Sequence, residues 1–312
     1  MSPQVALVGC GRWGQHVLRD LVALGCETVV VARSETSTRR AIEGGAGAVV
    51  RSVGELPEVE GAVVVTPTTT HFQVVEELVD RDIPIYVEKP LTDNPQSAAD
   101  LAARTPNRLF VMHKWRYHPG VEALASIARS GELGLVSGVR TTRVGWGNPH
   151  GDVDGVWMLA PHDISILLEI LGTIPEPRAA RAETVGSLVT GLVGLLGDDP
   201  WGAIDVSIAH SDRRREIRLI CEGGVAVLPD PYADHILITR GELMGPNVFP
   251  HTERRGISTE LPLLCELRAF VEHLSGGEPP KSNAREAAEE VAAIGRLREL
   301  AGVGSRPVQV HA

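Results

Sequence analysis

Short apolar runs alternate with amphipathic stretches through the first third of the chain. Buried strands are predicted at residues 4–9, 27–32, 62–67, 83–87 and 108–113, where apolar residues follow one another. Helices are predicted between them at residues 12–24, 37–42, 71–82 and 95–103. Because buried strands separated by helices are typical of parallel pairing, this pattern predicts an α/β domain with a doubly wound parallel sheet.

From about residue 118 the pattern changes to alternating apolar and polar positions. Strands are predicted at residues 136–145, 178–185, 203–210, 216–221, 225–228 and 235–239. Helices are predicted at residues 118–131, 162–172, 261–274 and 284–300. Few helices separate these strands, which favours a second α/β domain with an open, mainly antiparallel sheet. We therefore predict one domain at residues 1–118 and another at 119–312, with the C-terminal helices as candidates for packing back on the first.

Composition narrows the class of protein. The chain has 312 residues, 43% of them hydrophobic, and a net charge of −10. An acidic chain without a basic block is a poor binder of nucleic acid or of membrane surfaces, and no apolar run approaches the ~18 residues of a membrane span. The N-terminus enters a strand pattern without the basic region of a signal peptide. Four cysteines without C-x-x-C spacing complete the expectation of a reduced, cytoplasmic protein with no metal site.

A glycine motif stands between the first predicted strand and the first predicted helix. The residues are Gly9, Cys10, Gly11, Arg12, Trp13 and Gly14, which read G-x-G-x-x-G. Such glycines allow a tight turn and let a pyrophosphate approach the helix N-terminus. In this context the motif predicts a Rossmann dinucleotide-binding domain, with Gly9, Gly11, Arg12, Trp13 and Gly14 at the cofactor.

The end of the second strand bears on the choice of cofactor. NAD sites usually carry an acidic residue there, which bonds the ribose 2′-hydroxyl. Here the strand ends in Arg33 and Ser34, with Glu35 one or two positions late. A guanidinium and a hydroxyl suit a 2′-phosphate, which favours NADP over NAD. The alternative is that Arg33 is a solvated strand-end residue and Glu35 binds the ribose.

Further motifs follow in a fixed order. Thr66 and Pro67 end one strand, His71 opens the next helix, and Glu88, Lys89 and Pro90 follow the strand after it. Two more stretches, "HKWRYHPGVEAL" and "WMLAPHDISILLEILG", stand in the second half. Together with the glycine motif, these elements closely resemble the Gfo/Idh/MocA oxidoreductase family, the group of glucose–fructose oxidoreductase and inositol dehydrogenase.

The resemblance implies roles for these residues. Lys89 and His162 would be the acid/base groups, and Pro90 is often cis in the family. Thr66, Pro67, His71, Glu88, Lys89 and Pro90 would line the cofactor, although His71 also fits a structural role. Trp115, Arg116, Met158, His162 and Asp163 would line the substrate. A lysine ammonium stabilises charge that develops on a carbonyl oxygen, and a histidine exchanges protons near neutral pH.

The implied reaction interconverts a secondary alcohol and a ketone on a sugar, a nucleotide-sugar or a cyclitol. The active site would lie in the cleft between the domains. The resemblance further implies a homodimer or homotetramer formed through the outer face of the second sheet.

One position departs from the family pattern. Many of these dehydrogenases have an aspartate four residues before the histidine, and this chain has Met158 there. Three readings stay open: Asp152, Asp154 or Asp163 substitutes, Lys89 and His162 act alone, or catalysis has been lost. His162 also fits a helix-capping or core role, and Asp163 beside it is a candidate helix cap.

Two rival functions are consistent with the departure at Met158. A non-catalytic sensor would bind the dinucleotide without turnover, and a reductase of another kind would act on a C=N bond or a dihydrodiol.

Two surface segments also carry candidate chemistry. Residues 211–218, "SDRRREIR", fit a solvated hairpin or a site for a substrate phosphate. Residues 145–155, with His150, fit a loop over the substrate.

Overall fold

The structure is a computed structural model that describes residues 3–149, 151–241, 244 and 250–304. The chain divides into two compact units, one of Met1–Lys114 with Pro262–Val291 and one of Trp115–Leu261 with Ala292–Ala312. Whether these units correspond to separate domains with a boundary near residue 118 stays a prediction. His150, named above in the candidate loop, lies outside the described residues.

The first unit is built on a six-stranded parallel sheet in the order β3-β2-β1-β4-β5-β6. Its strands are β1 (Gln4–Val8), β2 (Glu27–Val31), β3 (Ala48–Val50), β4 (Gly61–Val64), β5 (Ile85–Glu88) and β6 (Leu109–Met112). Its helices are α1 (Gly14–Ala23), α2 (Glu35–Glu43), α3 (His71–Val79), α4 (Pro95–Arg104) and, far along the chain, α7 (Pro262–Leu274). The predicted parallel α/β sheet is confirmed.

Helix α7 completes the core of this unit. Leu267 and Phe270 are fully buried, and the Phe270 ring stacks on Tyr86 of β5 at 5.0 Å between centroids. A methyl group at Gly61 in β4 would lie 2.7 Å from Leu274, so helix and sheet approach closely there. The core therefore joins residues that lie far apart in the chain, such as Tyr86 and Phe270.

The second unit carries an eight-stranded sheet in the order β14-β13-β12-β11-β7-β10-β9-β8. Its strands are β7 (Val136–Trp146), β8 (Pro177–Val185), β9 (Leu188–Leu196), β10 (Trp201–Ser207), β11 (Ala209–Cys221), β12 (Gly224–Leu228), β13 (His235–Arg240) and β14 (His251–Gly256). Its helices are α5 (Pro119–Ser130) and α6 (Gly155–Leu171), while α8 (Ala284–Leu300) has residues in both units. Strands β7 and β10 pair in parallel and the others antiparallel, which confirms the predicted mainly antiparallel sheet.

Three expectations about local structure were wrong. Residues 211–218 are not a hairpin; they belong to the long strand β11. Helix α6 begins at Gly155, seven residues before the predicted start, because residues 155–161 are apolar on all sides and show no helical periodicity. Asp163 does not cap this helix. Asp154 does, by accepting hydrogen bonds from the backbone N–H groups of Val156 and Trp157.

No helix within the described residues is both long and apolar enough to cross a membrane. The expected cytoplasmic location stays a prediction.

Candidate active site

Three motif turns meet at one edge of the parallel sheet. The glycine turn follows β1, residues 66–67 follow β4, and residues 88–90 end and follow β5. Strands β1, β4 and β5 are consecutive neighbours and run parallel, so their carboxyl ends lie side by side. The chain also reverses its winding direction between β1 and β4, which is where open α/β sheets form a ligand crevice.

Each glycine of the turn meets a different constraint. Gly9 has φ +102°, in the left-handed region, and a methyl group there would lie 3.0 Å from the Val65 carbonyl oxygen. A methyl group at Gly14 would lie 2.5 Å from the Gly9 carbonyl oxygen, so that position holds the turn against α1. A methyl group at Gly11 would meet no described atom within 4 Å. Gly9 and Gly14 therefore serve the fold, whereas Gly11 faces open space.

The N-terminus of α1 is suited to an anion. Its N-cap residue, Trp13, makes no side-chain capping bond, and no acidic residue occupies the first turn. Free N–H groups at a helix N-terminus bind phosphate through hydrogen bonds and the helix dipole. The N–H groups of Gln15, His16 and Val17 bond the carbonyl oxygens of Gly11 and Trp13, so the N–H groups of the glycine turn before them, together with the open space at Gly11, fit the pyrophosphate of a dinucleotide.

The two residues between the glycines differ in exposure. Arg12 is exposed, whereas Trp13 is half-buried, and the Nζ atom of Lys114 lies 4.5 Å from the centre of its ring. This cation–π contact joins the turn to the segment after β6. Sequence reasoning missed it, because residues 13 and 114 belong to different motifs.

Ser34 and Arg33, the two predicted cofactor ligands at the end of β2, differ in their contacts. The Ser34 hydroxyl accepts a hydrogen bond from the backbone N–H of Ser37 at 3.1 Å and thereby caps α2. Arg33 is exposed and has no hydrogen-bond or ion-pair partner among the described residues. Glu35 is exposed in the first turn of α2. Arg33 is therefore the available cation at this strand end.

His71 connects two of the motif turns. Its Nδ1 lies 2.9 Å from the Pro90 carbonyl oxygen, and its Nε2 lies 2.9 Å from the Thr66 carbonyl oxygen. The side chain is 1% exposed, and the Lys89–Pro90 peptide bond beside it is cis. His71 thus ties the turn after β4 to the turn that carries the half-buried Lys89.

A buried carboxyl group stands behind these turns. Glu266 of α7 is 1% exposed, and its Oε2 lies 3.5 Å from the Tyr86 hydroxyl. Burial and the nearby Glu88 carboxylate raise the pKa of Glu266 well above its usual value, against the opposing charge of Lys114. No sequence motif contains this residue, and the only signal was its place on the apolar face of a predicted helix.

In the second unit, α6 presents His162 and Met158 one helical turn apart. Residues four positions apart share a face of a helix. His162 is half-buried, and its ring lies 6.5 Å from that of Trp115 in an edge-on arrangement. Trp115 is only 4% exposed, stacks on His118 at 5.0 Å, and has the Arg143 guanidinium 4.3 Å from its ring centre. The tryptophan therefore fixes the surroundings of His162 more than it offers surface to a ligand.

The aspartates considered as substitutes at position 158 have other partners. Asp163 is fully buried, and its Oδ2 accepts a hydrogen bond from Arg143 Nε at 2.6 Å. Asp154 caps α6 and pairs with the fully buried Arg298 at 2.8 Å. Burial raises the pKa of both carboxyl groups despite these arginines. Asp152 is half-buried in the loop before α6.

Arg116, a predicted neighbour of the substrate, and His118 from the same motif both make structural contacts. Arg116 Nε donates to Glu169 of α6 at 3.0 Å. His118 caps α5 by accepting from the Gly120 N–H through Nδ1, while its Nε2 donates to the Pro231 carbonyl oxygen at 2.9 Å. Burial lowers the pKa of His118 against the opposing effect of the bond to Pro231. Among the described residues, no group of three or more His, Cys, Asp and Glu side chains is arranged to hold a metal ion.

Comparison with known proteins finds a family match within the first unit. Residues 4–113 match the family model GFO_IDH_MocA, described as an oxidoreductase family with an NAD-binding Rossmann fold. The myo-inositol dehydrogenase Hyg17 of Streptomyces leeuwenhoekii is 36% identical over 143 residues, which is 44% of each chain. The matches to this and the next curated relatives span less than half of those relatives' length.

Solved structures resemble the whole chain. The UDP-N-acetylglucosamine 3-dehydrogenase GnnA of Acidithiobacillus ferrooxidans superposes with a TM-score of 0.82 at 21% identity, covering 98% of this chain and 100% of that one. A levoglucosan dehydrogenase in complex with NADH has a TM-score of 0.83 at 12% identity, covering 97% of both chains. At such identities the likeness concerns the fold, which is a Rossmann domain with a second, mainly antiparallel sheet.

Proposed function

We propose that the chain is a nicotinamide-dependent dehydrogenase of the Gfo/Idh/MocA oxidoreductase family, whose NAD-binding Rossmann model matches residues 4–113. The proposed reaction interconverts a secondary alcohol and a ketone on a sugar, a nucleotide-sugar or a cyclitol. The observation that carries this proposal is the glycine turn, with open space at Gly11 and an uncapped α1, beside the turn that holds Lys89.

In the proposed mechanism the chain binds, orients and moves protons, while the nicotinamide supplies or accepts the hydride when it is bound. The backbone N–H groups of the glycine turn that leads into α1 hold the pyrophosphate. Lys89 bonds the reacting oxygen, where its ammonium group stabilises the charge that develops in the direction of reduction. His162 exchanges the proton of the same hydroxyl group. These two roles rest on the family resemblance and on the positions of both residues in its motifs.

We propose NADP as the preferred cofactor, with NAD as the alternative. Arg33 is exposed and available at the end of β2, and a guanidinium binds a phosphate through paired hydrogen bonds. Arg33→Gln is expected to raise the Kd of NADPH about tenfold or more and to leave that of NADH nearly unchanged. Glu35→Gln is the control, and it should leave the Kd of both cofactors nearly unchanged. If Glu35 binds the ribose instead, this substitution weakens NADH binding and Arg33→Gln has no effect.

The central test is cofactor turnover. Purified protein is mixed with NADPH or NADH and a panel of keto-sugars, keto-nucleotide-sugars and ketocyclitols, and the loss of reduced-nicotinamide absorbance is followed. Lys89→Met is expected to lower kcat by about 100-fold or more, because both the charge and the proton carrier are lost. Lys281→Met makes the same change of side chain in the loop before α8 and is expected to keep the activity.

The panel also decides between the rival functions. Turnover that Lys89→Met abolishes and Lys281→Met keeps would support the dehydrogenase. Tight NADPH binding without turnover of any ketone would favour the sensor. Met158, which stands in place of an aspartate, would then explain the loss of catalysis. Turnover of a set of imines, measured in the same way beside the panel, without turnover of the ketones would favour a C=N reductase.

We propose in addition that copies of the chain associate through the outer face of the second sheet. Val193 and Leu195 of β9 are 51% and 50% exposed on one side of that strand, which leaves apolar surface to cover. Val193→Glu is expected to shift the mass measured by light scattering towards the monomer. Leu261→Glu, at an exposed position outside the sheet, is the matched control.

A further inference from the structure

Arg215 of β11 is an arginine without an anionic partner. It is half-buried, and its Nε atom is buried without a hydrogen-bond acceptor. Across the part of the chain that the structure describes, Arg215 forms neither a hydrogen bond nor an ion pair. Buried polar groups almost always have partners, so a guanidinium in this condition calls for a ligand.

A second guanidinium stands next to it. Arg143 of β7 is the cross-strand neighbour of Arg215, and Arg143 is 3% exposed. The Arg143 side chain pairs with Asp163, so that carboxylate is already engaged and Arg215 stands beside a second positive charge. Burial and, next, the charge of Arg143 lower the pKa of Arg215 to about 10. Arg215 and Arg143 together therefore carry one more positive charge than Asp163 can neutralise.

The neighbouring arginines of the same strand differ from Arg215. Arg214 and Arg218 project to the opposite side of β11, and both pair with Glu216 there. Arg215 lies on the side of Ile217 and Leu219, which are buried and face the helices. Of these three arginines, Arg215 alone is turned towards the helices, and it alone is unpaired.

Helix α6, which carries the proposed acid/base residue His162, packs on the side of the sheet to which Arg215 points. Arg143 bonds Asp163, the residue after His162 on α6, and its guanidinium packs on Trp115, whose ring lies 6.5 Å from that of His162. Asp163 and Trp115 fix the Arg143 side chain, while nothing described fixes Arg215. Arg143 and Trp115 thus link the surroundings of Arg215 to those of His162.

We propose that the substrate carries an anionic group, a phosphate or a carboxylate, which Arg215 binds with the charge of Arg143 behind it. This inference rests on the proposed function, since it names the class of substrate for the same site. A guanidinium presents two parallel N–H donors to a phosphate or carboxylate, which gives both affinity and orientation. Neutral sugars and cyclitols would leave the charge of Arg215 without a partner and are expected to be poor substrates.

The test compares substrates that share a ring and differ in charge. Cofactor reduction is measured with D-glucose, D-glucose 6-phosphate, D-glucuronate and UDP-glucose, and in parallel with myo-inositol and a myo-inositol monophosphate. Wild type is expected to have a kcat/KM for at least one anionic member about tenfold or more above that for the neutral member of its set. Preference for phosphate or for carboxylate identifies which anion the site binds.

Variants then assign the preference to Arg215. Arg215→Gln is expected to raise the KM of the anionic substrate about 10- to 100-fold with little change in kcat. Arg214→Gln removes the same charge from the other side of the strand and should leave the KM unchanged. Arg215→Lys keeps the charge without the two parallel N–H donors, so its KM for the anionic substrate should lie between those of the other two variants. Equal kcat/KM for neutral and anionic members, or an equal effect of Arg214→Gln and Arg215→Gln, would overturn the proposal.

A binding experiment separates this inference from the proposed reaction. Inorganic phosphate, and separately D-glucuronate, are titrated calorimetrically into the protein saturated with NADH, so that the pyrophosphate site at α1 is already filled. Binding of either anion that Arg215→Gln removes and Arg214→Gln keeps would support the anion site even if no substrate turned over. If neither anion binds and no anionic substrate turns over, the anion site is refuted. NADH binding measured alone then reports on the dinucleotide function.

Discussion

At the scale of single residues, the three glycines of the turn after β1 are not equivalent. Gly14 is pressed against the Gly9 carbonyl oxygen, whereas Gly11 has free space around its Cα. The same glycine-to-alanine change should therefore act on folding at one position and on ligand binding at the other.

Gly11→Ala is expected to keep the melting temperature within about 2 °C of wild type, because the added methyl group meets no described atom. The same methyl group would occupy space that a pyrophosphate needs, so the Kd of the dinucleotide should rise about tenfold or more. Calorimetry and fluorescence titration measure the two quantities. Gly54→Ala, whose methyl group would meet only Ser52 Oγ at 3.9 Å, is the control. Unchanged dinucleotide binding in Gly11→Ala would contradict this role.

The buried Glu266 carboxyl group predicts a pH effect on stability. Its pKa is raised from 4.5, mainly by burial and next by Glu88, with Tyr86 and Lys114 as its other polar neighbours. Above pH 4.5 the unfolded chain releases this proton while the native chain retains it, so the native state loses stability as the pH rises towards the native pKa. In that window Glu266 makes the free energy of unfolding fall progressively as the pH rises.

Glu266→Gln should remove that contribution. Urea unfolding from pH 5 to pH 8 is expected to give the variant a free energy of unfolding that falls less steeply with pH than that of wild type. Glu272→Gln, on the same helix, is the comparison variant. Parallel pH curves for wild type and Glu266→Gln would show that the carboxyl group titrates normally.

The residue scale also shows what the sequence could and could not predict. The glycine turn and the turn at Lys89 are local motifs, so their spacing was sufficient to identify them. The contact between Tyr86 and Glu266 joins residues 180 positions apart, and the pair of Arg143 with Asp163 depends on which strand faces α6. Neither is encoded in local spacing. The predicted cap at Asp163 was wrong for the same reason, since the start of α6 is set by Asp154 and its buried partner.

At the scale of elements, α6 depends on one buried ion pair at its first turn. Asp154 and Arg298 are both fully buried, and burial lowers the pKa of Arg298 as it raises that of Asp154. Both shifts favour the neutral forms, so the attraction between the two groups does not fully offset their loss of hydration. Removing one partner should therefore be worse than removing both.

Asp154→Asn keeps an acceptor for the N–H groups of Val156 and Trp157 while it removes the charge. This variant and Arg298→Met are each expected to lower the free energy of unfolding by about 3 kcal/mol or more, because each leaves a buried charge unpaired. The double variant should cost less than either single change. Denaturant unfolding of all four proteins gives the cycle, and costs that simply add would indicate that the two groups do not interact.

At the scale of the whole molecule, the first unit is discontinuous in the chain. Its sheet is complete at β6, but part of its core comes from α7, where Leu263, Leu267 and Phe270 join the apolar cluster around Leu7, Tyr86 and Phe110. The predicted boundary at residue 118 would separate these two parts.

A fragment of residues 1–118 is accordingly expected not to unfold cooperatively. Loss of α7 removes the fully buried Leu267 and Phe270 from the core and exposes the part of the sheet around Tyr86 and Phe110 that they cover. A second fragment, residues 1–114 joined to 262–291 by a flexible linker, restores α7 and should recover a cooperative transition in thermal circular dichroism. A cooperative transition in the 1–118 fragment at the melting temperature of the intact chain would instead support the boundary drawn from the sequence.

The late position of α7 has a consequence for synthesis on the ribosome. After β6 leaves the exit tunnel, the 115–261 segment must be translated before α7 appears, which takes about 7 to 30 seconds at 5–20 residues per second. During that interval the nascent chain carries a Rossmann sheet whose apolar surface around Tyr86 and Phe110 is only partly covered. A chain of this architecture thus completes its first core only after most of its second has been made. We expect its yield to depend on chaperones that bind apolar nascent segments.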